Sequence, residues 1–469
     1  MMLFVVSAFL FLYNLGGTAL RDYDEAIYSQ VIKDTLASGD IVTLSRFSSP
    51  WFEKPPLYFW SAMAVQQLIP APEWAYRLPS ALAGIASIAL VMLIGFLVTR
   101  SYPIAFFAGL VLLTSPPFLA VVREVRHDAP VTAAILFTLY AFLKAKEEPR
   151  WYLGMGLGIA LGVLTKSVIG LLAGPLILIW VVVQRDYTWV KNAYFWLGCA
   201  LAVVLAAPWH IYEYVRYGAA FSASYLQAHI LERFESNVIG GAVTGSNLTY
   251  ITYLFTFALP WSVTTIAGLV PLSIMLRAGG AHLRSAVAFF LQILFLLAFF
   301  FLAATKLPYY LTLVYPFVAL FLATVGQFLY EKSTDQWKKI VLGIAAFVFV
   351  AAFAQTINVG YHFHAKMRAN DLLASDEKKI GLALQREEDL PVYAFKYDYW
   401  DTIRYYGGKR IQMMQEDQLL DEPFFLVLPR GFFDIKPFPS ELTVRFTPLY
   451  VGEAVVLLRY DLIPRAQVL

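Results

Sequence analysis

Residues 21–60 read RDYDEAIYSQVIKDTLASGDIVTLSRFSSPWFEKPPLYFW. The stretch is polar and charged, yet it lies between long apolar segments of membrane-span character, which makes it the expected seat of the chemistry. Asp24, Glu25 and Tyr28 open an amphipathic helical pattern, with Ile27/Val31 and Tyr28/Ile32 at four-residue spacing. The pattern stops at Ser38-Gly39, where a left-handed cap costs least. A helix of this kind lies along a membrane surface. Residues 41–44 read as extended chain leading to Glu53-Lys54-Pro55-Pro56. Each proline drives the residue before it out of the helical region, so Lys54 is held extended. Pro56 suits the first position of a helix predicted over 57–69, and Lys54 therefore stands just outside a helix N-terminus. An anion there meets a fixed cation and a helix dipole. The prolines offer no N–H, so the lysine carries that argument.

Around this loop, 59% hydrophobic residues, 15% charged residues and a positive mean hydropathy over 469 residues point to an integral membrane protein. A net charge of +3 without a basic stripe argues against nucleic acid as a partner. The single cysteine, Cys199, sits in an apolar run, so no intrachain disulfide forms. Residues 1–20 lack a basic leader and Thr18-Ala19-Leu20 is a poor cleavage site, which reads as a retained first span. Further spans are predicted at 78–99, 103–122, 129–143, 151–164, 168–183, 193–210, 248–276, 285–304, 308–330 and 340–359, about eleven transmembrane helices in all. With the N-terminus cytoplasmic, one set of loops holds Arg100, Lys144, Lys146, Arg150, Arg185, Lys191, Arg277, Arg284, Lys332, Lys338 and Lys339, a positive-inside excess. The outer loops 21–77 and 211–247, the turns at 123–128 and Lys306, and the tail then share the opposite face. Residues 360–469 change character. A helical pattern at 372–388 and the short runs PVYAF, PFFLVLP, LTVRF and EAVVLLRY read as a small extracytoplasmic α/β domain following a membrane domain over 1–359.

DEAIY at 24–28, SGD at 38–40 and WFEKPPLYFW at 51–60 closely resemble, in order and spacing, the first outer loop of the aminoarabinose-transferase-like family. These are polytopic GT-C glycosyltransferases, related to the protein O-mannosyltransferases, that take a sugar from a polyprenyl-phosphate carrier. The resemblance implies a GT-C fold and an inverting glycosyltransferase with its active site on the outer, periplasmic face of a cytoplasmic (inner) membrane. It implies an undecaprenyl-type phosphate-linked sugar as donor. The acceptor is a hydroxyl or phosphate of a cell-envelope lipid such as lipid A, another glycan or a protein.

Transfer to a hydroxyl needs a base near an oxocarbenium-like centre, and a carboxylate serves both needs. In the relatives the aspartate matching Asp24 is the proposed base, with Glu25 beside it; a helix cap is the plain alternative for Asp24. Lys54 matches a phosphate-binding lysine, with interfacial snorkelling as its alternative. Where relatives read DEARY, this chain has Ile27, so one expected cation is absent. Arg233, one helical turn beyond His229, is the candidate replacement. Glu53 and His229, the latter within SYLQAHILERF at 224–234, match a zinc-binding pair. His362 and His364 form a second conceivable pair. Arg123, Glu124, Arg126, His127 and Asp128 crowd one span end; each charge at mid-membrane costs roughly 3 kcal/mol, so they belong at an interface or in a wet cavity. Asp128 stands where GT-C relatives carry a second functional acid, and before Pro130 it also suits a helix start. Leu164-Thr165-Lys166 matches a family turn, and Lys306-Leu307-Pro308-Tyr309-Tyr310 matches a KLPxY motif that assigns Lys306 and Tyr310 to the carrier phosphate. A protein O-mannosyltransferase-like enzyme is the nearest competing reading. A secondary transporter is the competitor from another class, but it would place its ionisable groups at mid-membrane within repeated halves.

Overall fold

The computed structural model describes residues 2–236, 238–239, 242–398, 400–414, 422–435 and 444–462. It is a helical bundle with a five-stranded sheet domain at one end. Among the described residues five helices have the length and composition to cross a membrane: Pro72–Thr99, Ala193–Tyr217, His282–Leu302, Pro308–Lys332 and Asp335–Asn358. The pair Asn247–Thr256 and Trp261–Arg277 qualifies together but bends by 94°. Four further apolar stretches of 10–17 residues complete the set: Met2–Leu12, Tyr102–Leu113, Trp151–Lys166 and Val168–Gln184.

Several predicted spans are therefore interrupted. The run at 103–122 splits where Thr114 and Ser115 turn their hydroxyls back onto the carbonyls of Leu110 and Val111, and Pro116 starts a new helix. The run at 308–330 begins as a 3₁₀ turn, Pro308–Leu313, before the helix Val314–Lys332. A membrane protein tolerates such breaks where neighbouring elements satisfy the freed backbone. Close approach comes from small residues: a Cβ on Gly156 would lie 2.0 Å from the carbonyl oxygen of Gly198, so helices Trp151–Lys166 and Ala193–Tyr217 meet backbone to backbone.

The charged opening stretch folds as its pattern dictates. Helix Asp24–Ser38 ends on Gly39 at φ +74°, and helix Leu57–Leu68 follows Pro56. Residues 45–50 add a two-stranded hairpin, Ser45↔Pro50. Tyr28, Val31, Trp51, Tyr58 and Phe59 pack one aromatic-rich core between the two helices.

The predicted boundary at 359/360 falls inside one 50-residue helix, Asp335–Leu384, about 75 Å long at 1.5 Å per residue. Its first half is largely exposed and touches the bundle through Val348, Ala352 and Thr356; its last turns enter the sheet domain, where Ile380 and Leu384 pack on Val392, Phe425 and Leu457. The sheet runs Ile411–Met413, Val392–Ala394, Phe424–Pro429, Val455–Leu462, Val444–Val451 in spatial order. The first two contacts are parallel and the last two antiparallel. Four of these strands match the predicted runs; the strand Ile411–Met413 and the helix Asp401–Gly407 were not foreseen.

The sheet domain is bolted to the opening stretch. Asp22 accepts from the amides of Asp401 and Thr402 at 3.1 and 2.7 Å, supplying from another segment the cap that helix Asp401–Gly407 lacks locally. Arg21 pairs with Asp371 at 3.0 Å, Arg46 with Asp401 at 2.5 Å, and Tyr406 donates to Glu73 at 2.8 Å.

Candidate functional site

Asp24 and Glu25 are neighbours at the start of one helix, so their side chains point about 100° apart. The structure sends them to different places. Glu25 is 4% exposed and meets Arg77, itself 2% exposed, through Nε at 2.8 Å and Nη2 at 2.9 Å. It also accepts from the backbone amides of Val125 and Arg21. Arg77 spends its remaining donors on the carbonyls of Leu15, Thr18 and Ala19. Burial alone would raise the Glu25 carboxyl, but Arg77 overrides it and holds the group down at about 2. Every hydrogen-bonding site of this knot is filled. Glu25, predicted to join the chemistry, is thus placed in a structural tie that locks the helix to the end of Pro72–Thr99.

Asp24 remains 26% exposed and accepts from Arg126 Nη1 at 2.9 Å. It makes no cap; the residue preceding the helix, Tyr23, makes none either. Arg126 also pairs with Glu124 and lies over the Tyr309 ring at 3.9 Å. Asp128 opens helix Asp128–Lys144 and accepts from Lys166 Nζ at 2.6 Å. Lys166 in turn lies 5.0 Å from the centre of the Tyr310 ring. The two acids therefore sit on one charged layer, each presented by its own cation.

One cavity opens beneath this layer. Its polar wall carries Glu53, Lys54, Asp128, Lys166, Ser167, Arg233 and Tyr310; Val131, Val168, Ile169, Phe299, Phe300 and Leu313 continue it into the bundle. Five of the predicted site residues, drawn from four separate segments of the chain, thus share one space. Arg233 Nη1 is buried there and has no hydrogen-bond partner among the described residues. Among the described residues Lys54 Nζ donates only to its own neighbour, the Glu53 carbonyl, at 3.2 Å. Burial lowers Lys54 to about 8; Glu53 and Asp24 oppose the shift, and Arg233 and Lys166 add to it. Lys54 is therefore within electrostatic reach of Asp24 and of two further cations. A cation crowded by cations, with one guanidinium N–H left open, is a place prepared for an anion.

His127 closes the back of the charged layer. It is 2% exposed, packed at 4.8 Å from Tyr28, 4.7 Å from Tyr58 and 5.1 Å from Phe59. Burial and the neighbouring Lys54, Lys166 and Arg126 hold its ring well below the usual histidine range, so it is neutral.

Lys306 is the correction on the cation side. Its ammonium turns away from the cavity and donates to the carbonyls of Phe301, at 3.1 Å, and Ala303, capping the end of helix Ala281–Leu302. The open carbonyls of a helix end outcompete the cavity for a lysine only four residues away. Tyr310 does line the cavity, whereas Tyr309 takes the stacking place under Arg126. Of the metal pair, Glu53 lines the cavity, while the side chain of His229 lies outside the described residues, as do those of His362 and His364. Among the described residues no three His, Cys, Asp or Glu side chains gather as a metal site. Lys166, Arg126 and Ser167 are the site neighbours not assigned from the sequence; Arg77 belongs to the structural tie. Lys166 and Arg126 were visible there as charges at span ends, the signal that would have found them.

Residues 53–212 match the family model of dolichyl-phosphate-mannose-protein mannosyltransferases. An uncharacterized protein of Aquifex aeolicus is 24% identical over 76% of this chain and 68% of its own. The undecaprenyl phosphate-alpha-4-amino-4-deoxy-L-arabinose arabinosyl transferase of Enterobacter sp. is 24% identical over 67% of this chain and 57% of its own. The chain thus spans somewhat more than half the length of that arabinosyl transferase. Among solved structures, ArnT of Cupriavidus metallidurans bound to undecaprenyl phosphate superposes with a TM-score of 0.71 at 17% identity, covering 98% of this chain and 97% of that one. The archaeal oligosaccharyltransferase AglB of Archaeoglobus fulgidus superposes with a TM-score of 0.56 at 11% identity, covering 92% of this chain and 69% of that one.

Proposed function

We propose that this chain, an ArnT-like glycosyltransferase of GT-C type in its fold, moves a sugar from a polyprenyl phosphate to an envelope acceptor. The observation that carries the reading is the cavity in which Lys54, Lys166 and Arg233, whose Nη1 has no partner among the described residues, converge beside two acids and above an apolar wall. The solved ArnT complex with undecaprenyl phosphate and the similar undecaprenyl-phosphate arabinosyl transferases suggest the lipid class. The apolar wall suits the first isoprene units, and the cations suit the phosphate.

In this reading Asp24 takes the proton of the acceptor hydroxyl as its oxygen attacks the anomeric carbon. The bond from that carbon to the phosphate oxygen breaks in line, the configuration inverts, and polyprenyl phosphate leaves. The charge that gathers on the departing phosphate is met by Lys54, Arg233 and Tyr310, already in place. Arg126 orients Asp24, and Lys166 holds the Asp128 carboxylate at the cavity wall. Arg233 supplies the charge that Ile27 does not. Zinc, implied by the family resemblance, would rely on Glu53 and His229; with Glu53 as the one described member of that pair, no step is assigned to a metal. The reaction takes place at the periplasmic face of the inner membrane, where loops 21–77 and the sheet domain enclose the charged layer.

The test is a mass-spectrometric comparison of envelope lipids and glycoproteins from cells carrying the wild-type gene, Asp24→Asn or a deletion. Loss of one and the same sugar modification in both altered strains supports the reading; an unchanged profile in the deletion strain refutes it.

A further inference from the structure

Ser167 occupies the break between helices Trp151–Lys166 and Val168–Leu171, at φ +45° and ψ −124°. A side chain in that region is strained, and glycine would avoid most of the strain. Ser167 performs no capping that would repay the strain. The residue instead lines the cavity beside Lys166, and its hydroxyl is 2.7 Å from Tyr225 Oη. Tyr225 Oη is 2.8 Å from His210 Nε2, and His210 Nδ1 is 2.8 Å from the Ala206 carbonyl.

The direction of this chain of bonds follows from its far end. A carbonyl only accepts, so Nδ1 carries the ring proton. His210 has no carboxylate in its bonding set, so the ring is neutral and Nε2 accepts. Tyr225 must then donate to His210, and its oxygen is left to accept from Ser167. The Ser167 proton is committed to Tyr225, which leaves Oγ of this cavity-lining residue with lone pairs only to offer a ligand. The relay is rigid: Tyr225 is 3% exposed, stacked on Phe221 at 4.9 Å and edge-on to Trp209 at 5.9 Å. Phe52, adjacent to Glu53 and Lys54, packs in the same aromatic cluster.

We propose that Ser167 is a specificity-determining residue that accepts a hydrogen bond from an O–H or N–H of the sugar on the carrier phosphate. The inference rests on the reading that the cavity holds such a carrier. An acceptor-only oxygen has nothing to offer phosphate oxygens, which belong to Lys54 and Arg233, but it selects for a ligand bearing a hydroxyl or amine at this point. A site built around such a bond discriminates strongly against a ligand lacking it.

The full-length protein in lipid nanodiscs is titrated with bare undecaprenyl phosphate and with the same lipid carrying glucose, galactose, mannose or 4-amino-4-deoxy-L-arabinose. Wild type should bind bare carrier and prefer at least one loaded form. Ser167→Ala should keep the affinity for bare carrier and lose about 3- to 10-fold of that preference, the range of one neutral hydrogen bond. Ser167→Gly should lose the preference equally while its thermal midpoint rises by about 1–2 °C as the backbone strain is relieved. Tyr225→Phe, which frees the serine hydroxyl to rotate, should also weaken the preference. Retention of the full preference in both Ser167 variants, or no preference in wild type, would overturn the proposal. Failure of wild type to bind bare carrier would instead strike the reading of the cavity itself and take this inference with it.

Discussion

Asp24 and Glu25 share a peptide bond and a residue class, yet the regions they enter are opposites. Around Glu25 every donor and acceptor is matched: Arg77 gives two bonds to it and three to backbone carbonyls, and water is excluded. Around Asp24 the charges are plural, partly exposed and paired on one side only, and among the described residues the cavity alongside leaves an arginine N–H unmet. A saturated network stores stability, whereas an unsaturated one is kept open by the surrounding fold for a ligand to complete. The comparison teaches that a charge's role here is read from the completeness of its partners rather than from its burial.

The sharpest way to break the comparison is to neutralise each acid in turn. Asp24→Asn should leave the thermal midpoint near wild type and cut sugar transfer by about 10²- to 10⁴-fold, as loss of a general base does. Glu25→Gln should do the reverse. It leaves Arg77 buried without its counter-charge at a cost of about 3–5 kcal/mol, visible as a lowered midpoint and yield, with transfer per folded molecule retained. The Glu25 contribution also has a defined pH signature. Its folded carboxyl is held below the ordinary value, so the stabilisation is complete above pH 4.5 and drains away as pH falls towards about 2. A denaturation series across that window checks the sign.

Smaller effects sharpen the same contrast on the cation side. Lys54 sits lower than an ordinary lysine, at about 8, so its ammonium is lost as pH rises through that value. Carrier capture by the free enzyme should therefore weaken above about pH 8 and be flat below it; in Lys54→Arg the fall should move to much higher pH. Lys306→Met should change carrier affinity least, because the lysine caps a helix end rather than the ligand. A carrier affinity in Lys306→Met reduced as far as in a Lys54 variant would contradict that placement.

The opening stretch was legible because its local signals agree. The period of Asp24 to Ser38, the glycine stop at Gly39 and the double proline before Leu57 each fix backbone geometry without help from the rest of the chain. Four of the five strands of the sheet domain were legible for the same reason; Ile411–Met413 was too short to show a pattern. What the pattern could not reveal depends on partners far away in sequence. Glu25 looks as catalytic as Asp24 until Arg77, 52 residues on, arrives beside it. Lys306 looks like a cavity cation until the end of the preceding helix claims it. The break at Ser115 is invisible to hydropathy, since a bent span is as apolar as a straight one, whereas the break at Ser167 was marked by the polar Thr165-Lys166 between two apolar runs. Arg233 was reached through its spacing from His229, and the cavity supports its place.

The central claim is that the cations of this cavity hold the phosphate of a polyprenyl carrier. Native mass spectrometry of the detergent-released protein with undecaprenyl phosphate tests it most directly. Wild type and Asp24→Asn should each retain one carrier lipid, and Lys54→Gln should lose about 10-fold or more in affinity, the range of a bond to a charged group. Equal retention by wild type and Lys54→Gln would contradict the account.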